Sequence, residues 1–321
     1  AGRLTSKCLA CGHTETRLLF RATDRLYQTT NREFRVVECA NCGLMRLDPS
    51  PSPSELATFY PSGYWYVPGG DAAGRMEEAY RAFVLGDHVR FVNRALSGSG
   101  IDGPVLDVGC GGGLFLRLLS RSGRAVVGLD SQPKAARVAW RRNGVPAICA
   151  SLENPPLAPE SCAAITMFHV LEHLYDPETY LRRAHELLKP EGRLIVQVPN
   201  AASWQFLLLG ENWNGLDVPR HLTNFRQKDL EALLDRCGFE VLSRKHFSLR
   251  DNPAGLATSV APSLDPMARR MRKVAETPGW RLAKDLAYFS LVIAATPFAA
   301  IEAACRAGSS IMIEARRRPA G

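Results

Sequence analysis

Four of the nine cysteines fall into two matching turns, CLACG at 8–12 and CANCG at 39–43. Two thiolates from each turn supply the four soft ligands of a closed tetrahedral zinc site, so Cys8, Cys11, Cys39 and Cys42 are the expected metal ligands. A glycine after each second cysteine permits the tight turn around the ion. The 27 residues between the pairs exceed the usual ribbon spacing of about 15–20, which predicts an extended hairpin or loop between the knuckles. A redox C-x-x-C is the competing reading, and two equal knuckles argue against it. Unpaired, metal-type cysteine usage points to a reducing compartment.

A second cluster, VLDVGCGGGLFLRLL at 105–119, runs from an apolar strand through glycines into an apolar helix. That order is the signature of a nucleotide site. The dinucleotide fingerprint needs glycine at 114, where Leu114 stands, and no G-K-[ST] phosphate loop follows. The pattern is D-x-G-x-G-x-G, with Asp107, Gly109, Gly111 and Gly113 and an extra Gly112. The loop holds no lysine or arginine, so it suits a nucleoside without phosphates. Asp107 is placed to order the turn and attract a cationic group. Asp130 ends the next strand about twenty residues on, where a carboxylate accepts hydrogen bonds from ribose hydroxyls.

These groups need elements to position them. From Pro104, strands PVLDV, AVVGLD, AICA, AAITMF and RLIVQVP alternate with helical segments 113–122, 133–143 and 177–189. Such alternation predicts an α/β fold with a parallel sheet covered on both faces. FEVLSRKHF and SSIMIEARR supply two closing strands, with a helix at 226–239 before them. A helical insertion at about 255–306 separates the closing strands. Upstream, DPSPSPSE (48–55) reads as a hinge that no regular element crosses. A helix over 75–96 is expected to bury Ala79, Phe83, His88 or Val89, and Val92. The domain reading is a zinc-ribbon module at 1–50, linker and aromatic lid helices at 51–98, and a main domain at 99–321.

VLDVGCGGG, VVGLD, FHVLEHLYDPETYLRRAHELLKPEGRLIVQVPN and CGFEVL together resemble class I S-adenosylmethionine-dependent methyltransferases, nearest the ubiquinone-biosynthesis-type O-methyltransferase branch. The resemblance covers most of 100–250 and implies a Rossmann-like seven-stranded sheet. It implies that Gly109, Cys110 and Gly111 flank the methionine moiety, and that Asp130 and Ser131 hold the ribose. Ser151 and Leu152 would lie by the adenine, and Phe168 and His169 would end the fourth strand beside the sulfonium. The ribbon followed by GLMRLDPSPSPSELATFYPSGYWY also resembles the N-terminal module of bacterial zinc-ribbon methyltransferases. That likeness implies an aromatic lid at Tyr60–Tyr66, with Tyr64 toward the substrate.

An alcohol acceptor must lose a proton during methyl transfer, and a histidine suits that task. Among seven histidines, His169 and His221 fall on the two expected walls of the crevice and are the candidate bases. His173, with Glu172 nearby, reads as structural. Trp213, Asp217 and Arg220 could grip a sugar by stacking and hydrogen bonding. The expected reaction is therefore O-methylation of a sugar, glycan or natural product.

The net charge of +8 leaves an RNA methyltransferase in view. The chain shows no concentrated basic stripe with interleaved aromatics, so a nucleic-acid partner is not expected. A non-catalytic scaffold is disfavoured by the intact glycine loop and Asp130. The opening AGRLTSKCLACG carries no apolar run of signal-peptide length, which predicts a cytoplasmic protein. In the apolar stretch 286–304 the uncharged run, Leu286 to Ile301, is short of a membrane span and is interrupted by Pro297, so buried helices are expected there. The alternative is an interfacial helix, giving peripheral contact of 269–304 with the inner membrane through RRMRK and the apolar run.

Overall fold

In a computed structural model, described here for residues 7–61 and 72–319, the chain builds two sheets. The larger has seven strands: β4 (Val105–Val108), β5 (Val126–Asp130), β6 (Ala147–Cys149), β7 (Cys162–Phe168), β8 (Leu188–Pro199), β10 (Phe239–Lys245) and β11 (Ser310–Arg317). Their order is β10-β11-β8-β7-β4-β5-β6. Strands β4 to β8 run parallel, and β11 and β10 pair antiparallel at one edge. Helices α3 (Leu114–Ser120), α4 (Pro133–Asn143), α5 (Pro177–Leu187) and α7 (Gln227–Arg236) make the crossovers. This is the expected Rossmann-like α/β sheet.

The strand sequences explain their place. All four residues of β4 are buried, and the first six of the seven in β7, so both faces of the central strands are covered. Leu106, Ile165, Leu194 and Leu181 are 0% exposed, and each buried side chain of that size contributes about 1.5–3 kcal/mol. Asp176 caps α5 by accepting the Thr179 N–H at 3.0 Å, and Pro177 takes the first helical position.

The smaller sheet ties the N-terminal segment to the main domain. Strands β1 (Thr16–Ala22), β2 (Phe34–Cys39) and β3 (Met45–Leu47) form the expected hairpins, but β3 also pairs with β9 (Thr223–Asn224). Phe34, Val36, Met45 and Leu47 share one apolar cluster with Trp213, Leu216, Val218 and Leu222. The cysteine module and the main domain are therefore joined by a strand and a core.

The 48–55 hinge is half helix. Ser52 and Glu55 form a reciprocal capping box, with bonds of 3.3 and 2.9 Å, and α1 (Pro53–Thr58) starts inside the Pro/Ser run. Helix α2 (Ala72–Ser99) is longer than expected and its buried face is offset. Ala79 and Phe83 are exposed, while Val84, His88, Val92 and Leu96 are buried.

The insertion forms α8 (Asn252–Val260), α9 (Pro266–Met271) and α10 (Pro278–Ala304). Three expectations fail in α10. At 27 residues it is, by length and composition, long and apolar enough to cross a membrane. The helix runs through Pro297, which lies on its exposed side, where water can satisfy the freed carbonyl. The helix is also not a core helix: only 22% of its most apolar window is buried. Leu282, Leu286, Phe289 and Ile293, at helical spacing, are 60%, 60%, 39% and 72% exposed. Nor is RRMRK a free basic patch. Arg269 is buried against Glu276 and Asp285, and Arg270 pairs with Glu77.

Candidate active site

Strand β4 is flanked by β5 on one side and β7 on the other, so a crevice opens at their carboxyl ends. The glycine loop forms its floor. Gly109, Gly111 and Gly113 have φ of 72°, 52° and 76°, left-handed values that side chains resist. Space is short as well: a Cβ on Gly109 would lie 2.9 Å from Val170 and one on Gly113 2.9 Å from Ala139. The Gly111 N–H donates to Asp130 Oδ2 at 2.9 Å and the Gln132 N–H to Oδ1 at 2.8 Å. Each carboxylate oxygen retains a lone pair for a further donor. Burial raises the Asp130 pKa above the usual range.

Behind the loop, the Thr166 hydroxyl donates to Asp107 Oδ1 at 2.6 Å. Burial pushes the Asp107 carboxyl up to about 7. A cation in the crevice would favour its charged form. Cys110 is buried beside Gly128, whose Cβ would meet its sulfur at 2.6 Å. Phe168 stacks edge-on with Phe115 at 5.1 Å and with His88 at 4.9 Å. Ser131 is exposed, and Ser151 Oγ lies 2.8 Å from the Tyr180 hydroxyl. The Leu152 side chain is 1% exposed within the core, so its backbone is what it can offer a ligand. The bare loop and the paired carboxylate fit a nucleoside cofactor.

At the end of β7 a cluster of ionisable side chains meets. His169, held at φ 57°, places Nδ1 3.1 Å from Glu172 Oε1 and Nε2 3.5 Å from Asp251 Oδ1. Burial alone would lower its pKa, but Asp251 and Glu172 outweigh that and raise it to about 9. The two carboxylates favour the charged imidazolium of His169, which weakens its case as a base. His221 Nδ1 donates to the Gly215 carbonyl at 2.8 Å, leaving Nε2 as acceptor, 4.0 Å from Glu172 and 3.9 Å from Asp217. His173 stacks edge-on against His221 at 4.6 Å. Burial, with His221 beside it, depresses the His173 pKa to about 4.

Sequence reasoning missed most of this network. Glu172 was paired with His173, yet it bonds His169, and its other oxygen is buried without a hydrogen-bond partner among the described residues. Asp251 comes from the start of the insertion, and its Oδ2 accepts from Gln197 at 2.7 Å. Gln197 in turn meets His88 Nε2 at 2.6 Å, and burial lowers the His88 pKa to about 4. A histidine on the apolar face of α2 was the signal available for that contact.

The sugar-gripping trio is also corrected. Trp213 is 3% exposed and packs on Phe206 at 5.4 Å. Arg220 is 0% exposed and is shared by Asp217 and Asp24, at 2.7 and 2.8 Å. Their polar groups are spent on each other rather than offered to a sugar. Tyr64 lies outside the described residues.

The four cysteines do converge. Cys8 and Cys42 are 3.6 Å apart at sulfur, as are Cys11 and Cys39, and all four are free thiols. A tetrahedron of about 2.3 Å zinc–sulfur bonds needs about 3.8 Å between sulfurs, so the set fits the ion. Each knuckle closes alike, Gly12 N–H to Cys8 O at 2.8 Å and Gly43 N–H to Cys39 O at 2.9 Å. Glu172, His173 and His221 also bring donor atoms within 4.8 Å of one another. Zinc bonds of about 2.1 Å would need about 3.4 Å between donors, so that cluster is looser than the cysteines and is read here as an acid–base network.

A methyltransferase domain family matches residues 76–244. A ubiquinone biosynthesis O-methyltransferase of Proteus mirabilis is 31% identical over 173 residues, covering 50% of this chain and 70% of the relative. One from Ruegeria pomeroyi is 32% identical over 154 residues, covering 44% and 62%. A crystal structure described as a sarcosine dimethylglycine methyltransferase from Galdieria sulphuraria aligns with a TM-score of 0.50 at 16% identity, covering 72% of this chain and 86% of that one. That likeness supports the fold. The chain belongs to the methyltransferase domain family, and it is an S-adenosylmethionine-dependent methyltransferase.

Proposed function

We propose that the protein O-methylates a small-molecule hydroxyl, with His221 as general base. The observation that carries this reading is the His221–Glu172–His169 network at the open end of β7, beside the glycine loop. In this reading Gly109, Cys110, Gly111 and Gly113 cradle the cofactor, Asp130 and Ser131 take the ribose, Ser151 and Leu152 lie by the adenine, and Phe168 borders the sulfur. The cofactor supplies the activated methyl group. The chain's task is to hold the hydroxyl in line, exclude water and take its proton at His221 Nε2. The charged His169 and the two carboxylates around it keep that end of the crevice polar. The cysteines hold a structural zinc.

Two acceptor classes follow. The sugar, glycan or natural-product reading loses the gripping role of Trp213, Asp217 and Arg220. A phenolic amphiphile is favoured by the exposed stripe of α10 and by what the bacterial relatives are named for. In that reading the protein is cytoplasmic, and α10 lies on the inner membrane face, with Leu282, Leu286, Phe289 and Ile293 in the headgroup region.

The test is methyl transfer from labelled S-adenosylmethionine to two panels, catechols with apolar tails and nucleotide sugars with glycans. Labelled product from either identifies the acceptor class. No product, with the cofactor bound, rejects the O-methyl reading. Liposome co-sedimentation of wild type and Leu286→Glu tests α10; equal pelleting rejects the membrane contact.

A further inference from the structure

We propose that the N-terminal module is a working part of the catalytic site: Asp24, acting through Arg220 and Asp217, positions His221. The inference rests on His221 as the base and adds the residue that holds it in place. Asp24 lies in the loop after β1, about two hundred positions before the base.

The geometry runs as a chain of contacts. Asp24 is 2% exposed and is itself held by N–H groups of Tyr27 and Thr29, at 3.1 and 2.9 Å, and by the Thr29 hydroxyl. Its two oxygens take Arg220 Nη1 and Nη2 at 3.0 and 2.8 Å. Arg220 then donates from Nε and Nη2 to Asp217, at 3.0 and 2.7 Å, and from Nη1 to the Phe59 carbonyl at 3.0 Å. The Tyr27 ring lies 4.5 Å from the guanidinium. Both carboxylates raise the Arg220 pKa, so the cation persists despite burial.

Asp217 is where the clamp reaches the base. It sits at φ 31°, and its carbonyl accepts the N–H groups of Arg220 and His221, at 2.8 and 3.1 Å. Its carboxylate stands 3.9 Å from His221 Nε2. The same short loop carries the Gly215 carbonyl that selects the His221 tautomer. A bidentate pair on each side of a planar guanidinium fixes orientation as well as distance. A second line, from the linker that follows the module, ends in the same cluster: the Tyr60 hydroxyl lies 3.1 Å from His173 Nδ1, and His173 stacks on His221. A module serving only as a zinc-held brace would have no need to send a buried carboxylate to the arginine of the His221 loop.

The experiment uses the full zinc-loaded chain with labelled histidine imidazoles. Nitrogen correlation spectra report the His221 tautomer, and calorimetry with S-adenosylhomocysteine reports the cofactor crevice. Asp24→Asn is expected to raise the Nε2-protonated share of His221 and to leave S-adenosylhomocysteine affinity within twofold. Arg236→Gln removes a different tie of the module, to the Ala10 carbonyl, and is expected to leave both unchanged. If Asp24→Asn fails to fold, Thr29→Val, which removes one bond to Asp24, is expected to move His221 the same way by less. A folded Asp24→Asn with unmoved His221 signals overturns the proposal, as does an equal shift in Arg236→Gln. If the clamp behaves as stated but His221→Gln keeps full methyl transfer, the base reading falls and the clamp stands.

Discussion

The two walls of the crevice are built differently. On the glycine-loop side, the backbone makes the surface: N–H groups, left-handed glycines and a carboxylate two elements on. On the opposite side, loop 213–225 makes it from side chains, and most of those are spent on one another. The backbone wall depends on neighbours close in sequence. The side-chain wall depends on Asp24, Phe59 and Glu172, brought from three other segments. The same polar residue types therefore mean different things on the two sides.

Breaking each wall should separate them. Gly109→Val places a branched side chain where Cβ alone is 2.9 Å from Val170, at φ 72°. Loss of S-adenosylhomocysteine binding by ~100-fold or more is expected from that overpacking and strain, read by calorimetry. On the other wall, Arg220→Met leaves Asp24 and Asp217 buried without their cation. A loss of about 3–5 kcal/mol in unfolding free energy is expected by denaturant titration. His221→Gln should spare cofactor affinity and cut methyl transfer by ~10²–10³, measured on the acceptor found in the screen.

A smaller effect comes from pH. Asp107 is raised to about 7 in the folded protein, so its ionisation costs stability as pH rises from the ordinary carboxylate range through 7. A cationic ligand offsets that cost. S-adenosylmethionine affinity should therefore strengthen several-fold between pH 6 and 8, while S-adenosylhomocysteine, which lacks the sulfonium charge, changes less. Asp107→Asn should flatten the difference; an unchanged slope would remove Asp107 from the crevice. His169 runs the same way in a higher pH window. The stability from its carboxylate partners is present below pH about 6.5 and is lost as pH rises through about 9.

The sequence made the glycine loop, Asp130, the parallel strands and the cysteine knuckles legible. Each is written in short-range patterns: alternation, turn residues and fixed spacing. The α10 helix was legible as apolar, but not as exposed. Composition does not say which side of a helix finds a neighbour, and only the packing of α8 against Tyr288 and Val292 settles it. Phe83 and His88 show the same ambiguity on α2, where the register against the sheet decides.

What the sequence determined by itself is a cofactor crevice and a four-thiolate site, because the backbone conformations and ligand sets they need are local. The tertiary structure decided which histidine lies between two carboxylates, which arginine is buried, and that the cysteine module shares a strand and a core with the main domain. Charge state and burial depend on which distant carboxylate arrives within a few ångströms, and the fold alone brings Asp24 to Arg220 and Asp251 to His169.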